Sequence, residues 1–173
     1  MSVKSKVESV SRRVAEVFTA TPEGETDVLD TLKNEHEEVD DLLSQLEKAD
    51  AAGKRKSLVQ KIKAALIPHT KAEQKVVYDA LLAMRDKDAQ ENGHEGYWEH
   101  ELASKTLQKL AGLPNAGSPE HKAVAKVLKE LVTHHVKEEE RNVWSDVREH
   151  FSKEERYALN RTYEAAKAKV KVV

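Results

Sequence analysis

Cysteine is absent from the 173 residues. That excludes disulfides, thiolate metal sites and a cysteine nucleophile, and it fits a reducing compartment. Glycine and proline number only six and four, and aromatic residues make up 5%. This is not the composition of a β-sandwich or of a disordered tail. No apolar run approaches the roughly 18 residues needed to cross a bilayer. The N-terminus lacks the apolar core of a secretory signal, and Glu8 and Glu16 argue against a transit peptide. A cytoplasmic location is the expectation. An excess of one charge is missing too: 29 basic residues face 31 acidic ones, for a net charge of −2. Nothing in that balance calls for nucleic acid or an anionic membrane as partner.

What is present is charge, at 35% of residues, and enough length to bury one real core. The apolar residues recur at helical spacing, and no stretch alternates as a strand would. Val3, Val7, Val10, Val14 and Val17 mark an amphipathic helix over about residues 3–18, within an N-terminal segment 1–20. Thr21-Pro22-Glu23-Gly24 breaks it. A helix follows from Thr26 or Asp27 to about Asp50, then one over roughly 54–84 with Pro68 inside it. An interior proline removes a hydrogen bond and tends to kink the helix. A third covers roughly 90–110, weakened by Gly93 and Gly96. After the loop Leu113 to Gly117, Ser118 caps a fourth helix that has Pro119 at its first position and runs to about His150. Ser152-Lys153-Glu154-Glu155 reads as a capping box opening a last helix, within 152–171. The short connections make the four helices of 26–150 antiparallel neighbours. The expected fold is all-α, an up-down-up-down four-helix bundle with extra N- and C-terminal helices.

One phrase occurs twice. His69 through Tyr78 lines up with His135 through Trp144 at a shift of 66 (135 − 69), superposing His, Lys, Glu and Val and ending each copy on an aromatic residue. Glu35-His36-Glu37, followed by Leu43 and Leu46, matches Glu99-His100-Glu101, followed by Leu107 and Leu110, at a shift of 64 (99 − 35). Histidine, then His-x3-Glu, therefore appears twice in that order. Two similar halves are expected to build one two-fold site.

Helical register decides which histidines face the core. Each residue advances about 100°, which puts His69 at about −20° and Glu73 at about +20° of the stripe centred on Ile62. His135 and Glu139 fall at similar angles from Leu128, while His134 and Glu138 lie roughly 80–120° away. His36 sits about 40° from Leu32. His100 sits about 20° from Leu107, whereas His94 falls about 140° from it. His121 also faces the stripe, but about 21 Å from His135, at the bundle end. Counting from the turns brings His36, His69, His100 and His135 to one depth. A single histidine on an apolar face is ordinarily a hydrogen-bonded core residue. Four imidazoles and two carboxylates in one buried layer are different, because without a cation their burial is very costly.

Nitrogen and carboxylate oxygen without sulfur suit iron, manganese or zinc. Six side chains are too many for one tetrahedral zinc and suit two metal ions. The di-iron bundles built on Glu-x-x-His use a different spacing.

The ordered set His36, His69-x3-Glu73, His100, His135-x3-Glu139 resembles the hemerythrin-like proteins of the HHE cation-binding type, over about residues 27–150. The stretch Glu138-Glu139-Glu140-Arg141-Asn142-Val143-Trp144 is similar to that family's glutamate-rich run. The resemblance implies a four-helix bundle holding two iron ions, bridged by oxo or hydroxo, rather than manganese or zinc. It implies Glu73 and Glu139 as bridges, and His36, His69, His100 and His135 as terminal ligands. Oxygen-carrying hemerythrins have a further histidine one turn before the ligand matching His100, where this chain has Gly96, and they end in His-x4-Asp. The chain is more similar to bacterial members and to an iron-sensing ubiquitin-ligase subunit. A protein that binds or senses dioxygen, nitric oxide, peroxide or iron itself is expected. A di-iron enzyme consuming peroxide or nitric oxide, and a metal-free helical interaction module, are the alternatives. Tyr97, at the edge of the apolar stripe of its helix, is placed at the rim with its hydroxyl toward water. The last helix, with Leu159, Tyr163, Ala166 and Val170, is expected to pack on the bundle first and on a second copy only after that. The chain is a monomer or a homodimer.

Overall fold

Asp27, Asp86, Ser118 and Ser152 open four helices, and each side chain accepts a hydrogen bond from the backbone of the first turn it precedes. This is how short polar residues satisfy N–H groups that have no partner inside the helix. The computed structural model describes residues 24–172. The expected N-terminal helix over residues 3–18, in segment 1–20, lies outside the described residues. Gly24 takes a φ of +113°, a conformation that glycine alone reaches cheaply.

Among the described residues there is no strand. Helix α1 spans Val28–Lys48. Helix α2 spans Ala52–Glu73 and continues through a π-helical segment, Gln74–Tyr78, into α3, Asp79–Leu82. Helix α4 spans Lys87–Gly112. Helix α5 spans Pro119–Glu138 and continues through a second π segment, Glu139–Val143, into α6, Trp144–His150. Helix α7 spans Lys153–Lys167 and carries the full capping box between Ser152 and Glu155. Helix α2 runs through Pro68 without interruption. The π segments were not expected. The first begins directly after the glutamate of its His-x3-Glu phrase and the second at it, so the wider turns fall within one residue of the same place in the two repeats.

The rods pack side by side. Helix α1 lies against α2 and α5, α4 lies against α5 and α2, and α7 lies across α1 and α2. Two apolar clusters fill the interior. One gathers Val28, Leu29, Leu32, Val77, Tyr78, Ala89, Val143, Val147, Leu159 and Tyr163. The other gathers Val39, Leu43, Leu58, Ile62, Leu66, Ala103, Leu107, Leu128 and Val132. A belt of buried polar residues separates them on every rod. Along α1 the order is Leu32, His36, Val39; along the rod that starts with α2 it is Leu66, His69, Glu73, Val77. Along α4 it is Ala89, His100, Ala103, and along the rod that starts with α5 it is Val132, His135, Glu139, Val143. No helix of the described residues is long and apolar enough to cross a membrane.

At the far end of the second cluster, Arg55 is a charged side chain only 1% exposed. It donates to the carbonyls of Leu46 (2.7 Å), Ala49 (3.0 Å) and Ala116 (2.8 Å), and to His121 Nδ1 at 3.0 Å. A cation at the carbonyl end of α1 is well placed against the helix dipole. Burial and the Arg55 charge hold His121 below the usual imidazole range, so its ring is neutral and can accept. Arg55→Met keeps the stem but strands these acceptors. It should cost about 2–4 kcal/mol of stability, read as a lower urea midpoint at unchanged slope.

Candidate metal centre

The polar belt brings all six sequence-selected residues together. His36, His69, Glu73, His100, His135 and Glu139 are all buried, with Glu73 at 0% and Glu139 at 1% exposure. Each imidazole turns Nε2 inward. His69 Nε2 lies 3.2 Å and His100 Nε2 3.5 Å from Glu73 Oε2. His36 Nε2 lies 3.3 Å and His135 Nε2 3.4 Å from Glu139 Oε2. The Nε2 atoms of His100 and His135 are 2.9 Å apart. Two sets of three donor atoms, His36, His69 and Glu73, then Glu73, His100 and His135, each fall within 4.8 Å of one another. Glu73 belongs to both.

The remaining histidines stay out of the belt. His134 is 64% exposed beside Glu99, His94 is exposed, His121 pairs with Arg55, and His150 meets Asp86. The structure thus buries His135 and exposes its neighbour His134, the split that helical register anticipates.

A second layer of carboxylates stands behind the first. Glu35 accepts from His69 Nδ1 at 2.9 Å, Glu99 from His135 Nδ1 at 2.7 Å and Glu140 from His36 Nδ1 at 3.2 Å. Such a partner fixes both the tautomer and the ring plane, leaving Nε2 as the inward nitrogen. The signal for two of them was visible in the sequence: Glu35 and Glu99 each precede a candidate histidine in the 64-residue repeat. Tyr78 and Trp144, the aromatic ends of the two repeated phrases, close the belt from the other side. Tyr78 donates its hydroxyl to Glu139 Oε1 at 3.0 Å, and Trp144 stacks on His36 with ring centroids 5.9 Å apart. Tyr97 stays at the rim, but its hydroxyl does not turn to water as expected: it donates to protein acceptors there, the Gln74 carbonyl at 3.0 Å and Asp79 Oδ1 at 2.8 Å.

The charges in the belt are set by one another. Burial lowers the His69 pKa, but Glu73 and Glu35 outweigh it and raise it to about 10. His135 is raised to about 10 by Glu139 and Glu99 against the same penalty. Burial, then the adjacent His135 charge, pushes His100 well below the usual range. Burial and repulsion from Glu139 raise Glu73 to about 7. Burial also acts to raise Glu139, but the imidazoles of His135 and His36 hold it well below the usual range. Protonated His69 and His135 thus act as the cations of this cluster.

Even so, the donor set is not satisfied. Both oxygens of Glu73, Glu139 Oε2, His36 Nε2 and His100 Nδ1 have no hydrogen-bond partner. Buried polar atoms in folded proteins are nearly always partnered. Four of these five orphans point into the layer where the two sets of donors meet, which is the chemistry a cation would complete. The residues therefore fit a metal, with nitrogen and oxygen donors and no sulfur.

Comparison with known proteins agrees. The chain is similar to a protein named DNA nickase from Nostoc sp. (strain PCC 7120 / SAG 25.82 / UTEX 2576), at 24% identity over 143 residues. The match covers 83% of this chain and 40% of that relative, so the chain spans well under half of the relative's length. No solved structure matches the chain significantly. The family described as hemerythrin HHE cation binding domain matches residues 27–161, which take in every rod that contributes to the polar belt. With six donors of that chemistry gathered inside the matched region, the chain belongs to the hemerythrin HHE cation-binding domain family.

Proposed function

We propose that this chain is a non-heme di-iron protein that binds or senses a small ligand: dioxygen, nitric oxide, peroxide or iron itself. The observation that carries the reading is the buried belt of four imidazoles and two carboxylates with five orphaned polar atoms. His36 and His69 would hold one ion, His100 and His135 the other, with Glu73 and Glu139 shared between them. The rods would form an up-down-up-down four-helix bundle around that pair. The order of apolar clusters supports this, since it reverses from each long rod to the next. When bound, the irons supply redox capacity and open coordination positions. The chain's own part is to hold four Nε2 atoms inward, exclude water with the two apolar clusters and keep both carboxylates within reach. Beside Tyr78, Gly96 and Glu139 lies a cavity of about 10 Å³, room for one water-sized molecule. A net charge of −2 gives no reason to carry DNA chemistry over from the partly matching relative. No membrane partner is proposed, and the chain would act as a monomer or a homodimer.

One observation favours the second reading, a di-iron enzyme consuming peroxide or nitric oxide. Tyr78 places a buried hydroxyl 3.0 Å from Glu139 Oε1. Burial and the neighbouring carboxylates push its pKa well above the usual tyrosine value, so it keeps its proton and remains a donor. Peroxide turnover by the iron-loaded chain, lost in Glu139→Ala, would establish the enzyme. Iron loading without turnover leaves the binding and sensing role.

Elemental analysis of protein purified without a tag or chelator should find close to two irons per chain. His135→Ala should lose metal and about 3–5 kcal/mol of stability, because it leaves Glu139 buried and short of a partner. His134→Ala, on an exposed ring, should do neither. A folded wild-type protein that also refuses added iron would overturn the reading.

The metal-free chain should show a distinctive pH dependence. His69 and His135 have folded pKa values raised to about 10 from 6.5, so the folded state binds more protons than the unfolded state between those values. Their contribution is complete below pH 6.5 and is lost as pH rises toward 10. The urea midpoint of chelator-treated protein should therefore fall from about pH 7 to about pH 9.5. With metal in place of the protons, the fall should be much shallower.

A further inference from the structure

The two halves of the centre repeat in sequence but not in their surroundings. Glu35 and Glu99 hold equivalent places, and each accepts from the outer nitrogen of a histidine, His69 at 2.9 Å and His135 at 2.7 Å. Beyond that they part. Helix α7 lays two donors on Glu35: the Tyr163 hydroxyl reaches Oε2 at 2.5 Å, and Lys167 Nζ reaches Oε1 at 2.5 Å. Both oxygens of Glu35 are thereby fixed. Glu99 has His134 Nε2 at 3.4 Å, from a ring that is mostly exposed. The same imbalance runs through the imidazoles. His36 and His69 both have a carboxylate on Nδ1, whereas His100 Nδ1 has no partner.

We propose that α7 is a clamp on one half of the centre. Tyr163 and Lys167 are positioning residues that fix His69 through Glu35, and the Tyr163 hydroxyl also lies 3.2 Å from His69 Nδ1 itself. They make the His36, His69 and Glu73 position the tighter of two metal positions and link its occupancy to the docking of α7. The inference rests on the metal reading above.

The geometry supplies the mechanism. A carboxylate held by one contact can rotate and carry the imidazole with it, whereas one held at both oxygens cannot. His69 then presents Nε2 toward Glu73 without ordering cost when metal arrives. Tyr163 is fully buried, its ring 6.5 Å from that of His69, and Leu159 on the same helix joins the apolar cluster that also contains Val28 and Val77. Packing therefore sets where α7 sits, and α7 sets where Glu35 sits. Linkage is reciprocal: a metal that needs His69 oriented favours docked α7, and anything that lifts α7 loosens that metal.

The test is stepwise extraction of iron from the loaded full-length chain by a chelator. Wild type should release iron in two phases, and the slow one should belong to the clamped half. Tyr163→Phe keeps the ring and its packing but removes the donor, and it should speed the slow phase by roughly tenfold, in line with the loss of an outer-layer partner. Lys167→Met, at the less buried end of the contact, should move the same phase in the same direction. In a Glu35→Ala background, Tyr163→Phe should have a smaller effect than it has alone, because part of its action runs through that carboxylate. A slow phase unchanged in both variants overturns the clamp while leaving the metal centre intact. A Tyr163→Phe effect of equal size with and without Glu35, joined to no effect of Lys167→Met, also overturns it, because neither donor would then act through the carboxylate. A wild-type chain that takes up no iron overturns both readings at once.

Discussion

Glu73 and Glu139 sit in the dry middle of a helical core, and neither completes its hydrogen bonding. An uncompensated carboxylate in such surroundings costs several kcal/mol even after relaxation. The rest of the belt answers that cost. Four imidazoles surround the pair, two of them raised to carry a proton at neutral pH by the carboxylates they face. Because the carboxylates are shared among histidines from all four rods, no rod can slide along its axis without separating a charge from its counter-charge. The two apolar clusters lie on either side of the belt and supply the bulk of the burial, but that interaction has no directional preference. The ion pairs of the polar belt do, so we attribute the register of the rods to them.

The outer carboxylates extend the same logic to the surface. Three of the four histidines are held on their far nitrogen by Glu35, Glu99 or Glu140. Each of these carboxylates is also a near neighbour in sequence of a belt residue on a different rod: Glu35 beside His36, Glu99 beside His100, Glu140 beside Glu139. Three of the rods thus contribute a group to the belt and, with an adjacent residue, steady a group from a neighbouring rod. This explains why the dipeptide Glu-His, rather than histidine alone, is what the chain repeats.

Much of this was legible in the sequence because it follows from period and spacing. The 3.6-residue repeat gave the rods, Asp27, Ser118 and Ser152 marked their starts, and the angles of His69, His135, Glu73 and Glu139 put them on the core face. What could not be read were features that break the period. Counted along an unbroken α-helix, Tyr78 falls about 160° from Ile62 and Trp144 about 160° from Leu128, which would put both on the solvent side. Both are buried. The π segments that carry or adjoin them advance fewer degrees per residue, and that swings both aromatics into the core. The reach of α7 to Glu35 was hidden for another reason. It depends on where the last helix docks, and no local pattern encodes that.

Gly96 joins these threads. It occupies the place where oxygen-carrying hemerythrins, by the resemblance drawn above, have a further histidine. A Cβ built there would lie 2.5 Å from the Tyr78 ring and 2.8 Å from its hydroxyl oxygen. A side chain at 96 and the ring of Tyr78 in its present position are therefore mutually exclusive. The π segment that brings Tyr78 inward and the glycine that admits it must occur together. Their joint effect is to put a hydroxyl donor on Glu139, with the Tyr78 ring filling the space that a side chain at 96 would enter. The half of the belt that lacks an outer partner on His100 is thus also the half that has a glycine in place of a histidine. On both counts it is the less constrained side of the centre, opposite the side that α7 holds.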